Sequence, residues 1–468
     1  MVFITSIVEY TASPVERRCR PGSPGSRASD TILTVNVTVH PGSLAGTVKI
    51  PASKSHTIRA LLIAALAEGE SMVRGALASR DTEACMSVLR ALGVEIEELS
   101  RPAGLDLRVH GTGGRLREPT GPLDCMNSGT TLYLALSIAA LQRFPVSFTG
   151  DEQLRRRSAG PLLNALEAMG AKVTREGTGD CVPFTVEGPV EGGPVTIECP
   201  TSQYLSSLLL AAPLTRRGMK ITVPLLNERP YVELTLDWLE RQGITVERTG
   251  WERFTVPGGT AYRAYDRQVP GDFSSATFFL VAGALGRTPL PLTGLDMTDS
   301  QGDREVVSIL ERLGATVERT GDRTITVRGP APDEPALAGG TLDLNAMPDA
   351  LPALAILGTR CAAPLRLENV PQAREKETDR IAVMAEVVNE LGGRADELSA
   401  GLVIHPGRLA GGTADSRGDH RVAMALAIAG LSATGPVTVT NAGVADITFP
   451  GFYEALAGAG ARLDRDEE

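Results

Sequence analysis

Apolar and polar positions along the chain fall into a pattern that returns six times. In each return a run with helical spacing ends in Gly, and a short alternating strand follows. The instances are Ala91-Leu-Gly93-Val-Glu-Ile96, Ala168-Met-Gly170-Ala-Lys-Val173, Arg241-Gln-Gly243-Ile-Thr-Val246, Arg312-Leu-Gly314-Ala-Thr-Val317, Glu390-Leu-Gly392-Gly-Arg-Ala395 and Gly458-Ala-Gly460-Ala-Arg-Leu463. A glycine just past a helix takes the left-handed conformation that ends it, and strand alternation then begins. The markers at 93, 170, 243, 314, 392 and 460 are separated by 77, 73, 71, 78 and 68 residues. Units of that length are too long for a solenoid of small repeats and long enough for several strands and two helices.

Between the markers the pattern predicts a second, more apolar helix. It falls at Gly129–Leu141, Gln203–Ala212, Ser274–Ala284, Pro348–Leu357 and Asp419–Leu431, and a sixth is continued by Ala60–Ala67, stopped at Glu68-Gly69. Helices apolar on every side are buried ones. Each starts on polar residues: Ala52-Ser-Lys-Ser-His56, Asn127-Ser-Gly-Thr-Thr131, Thr201-Ser-Gln203, Gly271-Asp-Phe-Ser-Ser275, Asn345-Ala-Met-Pro-Asp349 and Gly418-Asp-His-Arg421. Any one of these alone reads as an ordinary cap. A helix start also presents free N–H groups and a positive partial charge, so six that converge would line an anion-attracting cleft. Lys54 and Arg59 add formal charge to the first. That stretch is not a nucleotide P-loop, which would need Gly at 48 and 53, where the chain has Val48 and Ser53.

Composition narrows the partners. The chain has 468 residues, 42% hydrophobic and 22% charged, enough for two or more cores. A net charge of −10 and a pI near 5.3 argue against nucleic acid or anionic membrane as main partner. No window of 18 apolar residues occurs, so no membrane span is expected. The six cysteines lack any Cys-x-x-Cys pair and are expected to be reduced and structural, in a cytoplasmic protein; the five histidines make no metal signature. Residues 1–31, rich in Pro, Gly and Ser, read as a disordered extension, and Val2–Val8 lacks the basic flank of a secretory signal. Of 46 basic residues only five are Lys, at 49, 54, 172, 220 and 376. In a chain that otherwise chooses Arg, Lys54 and Lys376 amid anion-binding residues suggest a need for a cation that can release a proton.

Two charged stretches, Gly150–Ser158 with three arginines and Arg374–Arg380, would each alone be a solvated face. Together with the helix starts they resemble the enolpyruvyl transferases over residues 35–460. The resemblance rests on Ser53-Lys-Ser-His-Thr-Ile-Arg59, Asn127-Ser-Gly-Thr130, Gly150-Asp-Glu-x-Leu-Arg-x-Arg157, Thr201-Ser-Gln203, Pro348-Asp349, Lys376-Glu-Thr-Asp-Arg380, Asp419-His-Arg421 and Thr448-Phe-Pro450. It implies an α/β fold of two similar domains, each of three βαβαββ repeats around a pseudo-threefold axis, an inside-out α/β barrel. The expected domains are 32–52 with 271–468, and 53–270, with crossovers near Pro51–Ser53 and Val269–Asp272.

The implied reaction moves the enolpyruvyl group of phosphoenolpyruvate to the 5-hydroxyl of shikimate 3-phosphate and releases phosphate, on the route to chorismate and the aromatic amino acids. It implies no metal and no organic cofactor; a monomer is expected. By the resemblance Lys54, Ser55, Arg59, Thr201, Ser202, Gln203, Asp349, Gln372 and Lys376 contact shikimate 3-phosphate. Lys54, Gly129, Arg157, Gln203, Arg380 and Arg421 contact phosphoenolpyruvate. Asp349 is the expected base, with Lys54 and Glu377 handling protons at the other reactant. Asp349 opens an apolar helix, so its carboxylate is expected to be ionised, and the competing role there is an N-cap. The cations are split between the two expected domains, so an empty cleft of like charges is expected to stand open.

Four positions depart from the family pattern: Ile447 replaces a Lys before Thr-Phe-Pro, Glu228 a Ser before Arg-Pro-Tyr, Gln372 an Asn, and Tyr133 an Arg. These bear on affinity more than on reaction type. Two other functions fit the fold. One is the sister transferase acting on UDP-N-acetylglucosamine, whose reactive loop carries a cysteine that Gly150–Ser158 lacks. The other is a non-catalytic anion-binding scaffold, which has no reason to keep Lys54, Asp349 and Glu377.

Overall fold

The computed structural model describes residues 35–467 apart from 102–103 and 177–178, so the extension expected over 1–31 lies outside the described residues. Six sheets are present among them, and all six have one strand order. The sheet after the Gly93 marker shows it. Leu123–Asp124 runs parallel to Val146–Thr149, which pairs antiparallel with Phe184–Glu187, which pairs antiparallel with the edge strand Lys172–Arg175. Parallel neighbours need a crossover, here the helix Gly129–Ala139, and a second helix, Gly160–Ala168, leads to the edge strand. This is the βαβαββ unit.

The two helices of a unit differ as the pattern requires. Crossover helices are buried nearly all round: Phe273–Leu285 is buried at twelve positions from Phe273 to Ala284. The other kind is amphipathic, as in Glu305–Arg312, where Val306, Val307, Ile309 and Leu310 are the buried face. The observed crossover helices, Lys54–Leu66, Gly129–Ala139, Ser202–Ala211, Phe273–Leu285, Leu351–Gly358 and His420–Ser432, lie within a few residues of the predicted ones. The fifth starts late because Pro348–Ala350 forms a 3-10 turn first, and Pro352 in its first turn has no N–H to lose there. All six marker glycines take positive φ, from +76° at Gly243 to +102° at Gly460, as helix ends of this kind require.

Distant strands complete the units. Val35–Val39 joins Val437–Thr440 and Leu463–Glu467, while Asp266–Gln268 and Tyr262–Arg263 join Ala67–Ala76. Val48–Lys49 is parallel to Leu290–Thr293, so the chain leaves one half and returns to it more than two hundred residues later. The outgoing and returning strands touch, with Ser53 N–H donating to Pro270 O (2.8 Å) and Asp272 N–H to Pro51 O (2.9 Å). Two cores result. One gathers Val37–Ile50 with Phe273–Ala459, and the other runs from Ile58 to Val269.

One expectation fails. Cys181 is disulfide-bonded, so the cysteines are not all reduced, although Cys85, Cys125, Cys199 and Cys361 are free and buried. Spacing could not reveal this, because a disulfide pairs residues by fold rather than by distance along the chain. Among the described residues no helix is long and apolar enough to cross a membrane.

Candidate active site

The crossover helices bring their starts to one cleft between the halves. Ser53 caps the first, accepting from His56 N–H, and so turns Lys54 and Ser55 toward the cleft. Ser128 caps the second through Thr131 N–H, presenting Gly129 and Thr130; Thr201 caps the third, presenting Ser202 and Gln203. Pro348–Ala350 delivers Asp349, and Asp419 caps the helix carrying His420 and Arg421. The sixth start stands one layer behind, where Ser274 O accepts from Arg421 Nη1 at 3.4 Å. Gly129 lies close to Arg157, since a Cβ there would lie 3.0 Å from Arg157 Nη1 and would push that guanidinium aside.

Arg380 is the centre of the cleft's charge. Its side chain is 1% exposed and bonds three carboxylates: Asp349 Oδ1 (2.6 Å), Glu377 Oε2 (2.6 Å) and Asp419 Oδ2 (2.8 Å). Arg421 Nη2 holds the other Asp349 oxygen at 2.9 Å, and Arg157 Nη2 lies 3.3 Å from Glu377 Oε1 across the cleft. Lys54 pairs with Asp81 (3.0 Å), and Lys376 reaches across to Glu228 (2.5 Å). Arg59 alone among these cations has only neutral partners, donating to Thr235 Oγ1, Ser55 O, Ser206 Oγ and Tyr231 O. Burial lowers its pKa to about 10.

These pairings correct one expectation and remove a competing role for Asp349. The cleft is not a set of like charges, because carboxylates sit against nearly every cation, so self-repulsion gives no reason for it to stand open. Asp349 makes no cap bond; both its oxygens are taken by guanidiniums. Its expected ionisation does hold. Burial pushes its pKa upward, but Arg421 and Arg380 outweigh this and hold the carboxyl far below the usual range. Glu377 is held low in the same way, by Arg157 and Arg380 against burial. Burial lowers Lys54 too, but Asp81 and Glu377 more than restore it, so Lys54 keeps its proton firmly.

Twelve of the residues singled out from the sequence line this cavity: Lys54, Ser55, Arg59, Gly129, Arg157, Ser202, Gln203, Asp349, Lys376, Glu377, Arg380 and Arg421. Thr201 and Gln372 do not. The Thr201 hydroxyl donates to Glu228, and the Gln372 amide donates to Asn345 O at 3.0 Å. Tyr133 and Ile447 also stand outside the lining; the Tyr133 hydroxyl donates to Ser158 O.

Sequence reasoning missed Asp81, Tyr231 and Asp303. The Tyr231 hydroxyl donates to Asp303 Oδ2 (2.9 Å) and approaches Asp349 Oδ2 (3.4 Å). Burial, with Asp349 nearby, lifts Asp303 to about 7. Only Tyr231 carried a signal, in Arg229-Pro-Tyr231. His420, its ring nitrogens unpartnered, is lowered to about 4 by burial and so stays neutral. Glu377, Asp419 and His420 bring ligand atoms within 4.8 Å of one another, but Arg380 already bonds both carboxylates and supplies the positive charge there.

Comparison with known proteins agrees with this geometry. A family model described as EPSP synthase (3-phosphoshikimate 1-carboxyvinyltransferase) matches residues 39–456. A 3-phosphoshikimate 1-carboxyvinyltransferase from Acetivibrio thermocellus is 43% identical over 429 residues, 92% of this chain and 99% of the relative. One from Ruminiclostridium cellulolyticum is 40% identical over 426 residues, 91% of this chain and 99% of the relative. The solved EPSP synthase of Acinetobacter baumannii superposes with a TM-score of 0.76 at 28% identity, covering 92% of this chain and 100% of that one. The enolpyruvyl transferase NikO of Streptomyces tendae shares the fold, with a TM-score of 0.73 at 18% identity over 93% of this chain and 99% of its own. With the two-core architecture of six βαβαββ units and the cleft of converging helix starts, these matches show that the chain belongs to the EPSP synthase (3-phosphoshikimate 1-carboxyvinyltransferase) family.

Proposed function

We propose that cations and hydroxyls from both faces of the cleft hold the anions of a carboxyvinyl transfer, while Asp349, Glu377 and Lys54 move its protons. The enzyme transfers the enolpyruvyl group of phosphoenolpyruvate to the 5-hydroxyl of shikimate 3-phosphate. The methylene carbon of phosphoenolpyruvate gains a proton, and the 5-oxygen bonds to C2 as it loses its own. The tetrahedral adduct then expels phosphate while the same carbon gives a proton back. Such a site must hold two phosphates and two carboxylates and exchange protons at two places.

Lys54, Ser55, Arg59, Thr201, Ser202, Gln203, Asp349 and Lys376 hold shikimate 3-phosphate, with Gln372 acting from behind through Asn345. Lys54, Gly129, Arg157, Gln203, Arg380 and Arg421 hold phosphoenolpyruvate. Asp349 is the base on the 5-hydroxyl. The observation that carries the reading is its clamp between Arg380 (2.6 Å) and Arg421 (2.9 Å). So clamped, Asp349 is a weak base. When phosphoenolpyruvate draws those guanidiniums to its own anionic groups, Asp349 loses part of its compensation, and its basicity rises where the proton must leave. Lys54, which keeps its proton in the empty site, stands with Glu377 to serve the methylene carbon.

The domains are 32–52 with 271–468, and 53–270, hinged at Pro51–Ser53 and Val269–Asp272, and the Arg157–Glu377 and Lys376–Glu228 pairs latch them together. Scattering with and without shikimate 3-phosphate reads the hinge, and an unchanged radius of gyration would remove it. The enzyme works as a cytoplasmic monomer, which sedimentation tests as to size. The deciding experiment for the reaction is phosphate release with both substrates and with each alone. Release only with both supports transfer; binding without release supports a scaffold; release only with UDP-N-acetylglucosamine as acceptor supports the sister activity, against which stands the lack of cysteine in Gly150–Ser158.

A further inference from the structure

The turn before Arg229–Arg241 places a carboxylate inside an anion-binding arrangement. Glu228 has φ +57° and ψ 41°, a left-handed conformation that a Glu adopts only under constraint, and it is 2% exposed. Its Oε2 accepts from Thr201 Oγ1 (3.1 Å), Ser202 N–H (3.2 Å) and Ser202 Oγ (2.9 Å). Its Oε1 meets Lys376 Nζ at 2.5 Å, and its own N–H donates to Asn345 Oδ1 (3.2 Å) across the cleft. A helix-start N–H, two hydroxyls and an ammonium thus close on one internal carboxylate. They are the groups an external phosphate would use. Ser202 and Lys376 also line the substrate cavity.

We propose that Glu228 is an intramolecular stand-in for the acceptor's phosphate: its carboxylate fills the subsite of Thr201, Ser202 and Lys376 until the acceptor displaces it, and so sets the acceptor's affinity. The inference rests on the acceptor assignment above. A phosphate entering this subsite must take Glu228's donors, and a Glu228 that stayed would repel it. The acceptor therefore binds more weakly than the same donors would allow with the subsite vacant.

Calorimetry of shikimate 3-phosphate, and separately of inorganic phosphate, with wild type, Glu228→Ser and Glu228→Gln tests this. Both variants should bind shikimate 3-phosphate about tenfold or more tighter, each tenfold being about 1.4 kcal/mol. The apparent affinity for phosphoenolpyruvate should move less than about twofold, since its contacts lie elsewhere in the cleft. Adding Ser202→Ala to Glu228→Ser should erase most of the gain, placing it at this subsite. Thermal melts confirm folding before binding is read. Equal or weaker binding of both anions in the folded variants would overturn the inference. Wild-type turnover separates the two readings: no phosphate release would sink the reaction, whereas tighter inorganic phosphate in Glu228→Ser would still support Glu228 as occupant of an anion subsite.

Discussion

The two halves repeat one unit three times each, yet they manage charge at the cleft in opposite ways. In residues 53–270 the cations are dispersed. Lys54 has one acid of its own half, Asp81; Arg157 finds its carboxylate across the cleft, and Arg59 has none among its hydrogen-bond partners. In residues 271–468 a single buried guanidinium, Arg380, holds Asp349, Glu377 and Asp419, while Asp272 and Asp303 lie buried close by. The fold supplies helix starts to both halves alike. What differs is the residue set upon each start: hydroxyls and cations on one side, carboxylates with their counter-ions on the other. An anion holder needs donors that stay charged, and a proton mover needs acids whose pKa values neighbours can shift.

The sharpest way to break this contrast is Arg380→Met. It removes the counter-ion shared by three buried carboxylates and strands Asp419, and removing one partner of a buried ion cluster costs about 3–5 kcal/mol. Denaturant unfolding should show that loss, and phosphate release should fall below detection. Arg59→Met, whose partners are neutral, should cost roughly half as much stability, because it strands no opposite charge. Equal losses at the two positions would mean that the halves do not differ as described.

Next in size is Asp349→Asn. Turnover should drop about 10²–10⁴-fold, as for a positioned general base, while shikimate 3-phosphate binding stays within about tenfold. Since Asp349 makes no cap bond, no helix-stability explanation competes. Near-normal kcat would move the base elsewhere, and the acidic half would lose its proposed task.

Lys54→Arg and Lys376→Arg compare one lysine from each half. Both keep the charge. Lys54 keeps its proton in the empty site and is the proposed proton handler at the methylene carbon, so Lys54→Arg should lower kcat by about 10²-fold or more. Lys376 holds Glu228, so Lys376→Arg should act mainly on the KM of the acceptor. If the two variants lost kcat alike, charge holding and proton handling would not be separable by residue.

Much of this was legible from local pattern, and what was not shares a cause. The marker glycines and apolar helices are readable because helix endings and burial are set by residues near in sequence. The Thr201-Ser202-Gln203 start was readable as a helix start, but not that Thr201 turns behind it to Glu228. The placement of Gln372 was hidden for the same reason: its partner, Asn345 O, lies in a different loop. Arg380 was legible as a cation, yet its three acids stand 31, 3 and 39 residues away, a neutralisation that only the fold reveals. Asp303 carried no motif at all; its character comes from burial beside Asp349.

Asp303 gives the smallest effect and the finest test of the acidic half. One of its oxygens accepts from Tyr231, and the other, Oδ1, is buried without a partner. Burial, reinforced by Asp349, raises its pKa from 3.8 to about 7. The folded protein therefore holds this proton up to near neutrality, whereas the unfolded chain releases it near pH 4. The stability that this group contributes is fully present below pH 4 and is lost as pH climbs from 4 to 7. Asp303→Asn is neutral at every pH and escapes the loss. Relative to wild type it should gain stability across that window and then level off, by about 1–2 kcal/mol, less than the bare shift would give because a buried site relaxes around a charge. The measurement is the difference in unfolding free energy between the two proteins at pH 5 and pH 8. A difference independent of pH would show Asp303 ionised throughout, and the acidic half would then hold its carboxylates by counter-ions alone, without a neutral acid among them.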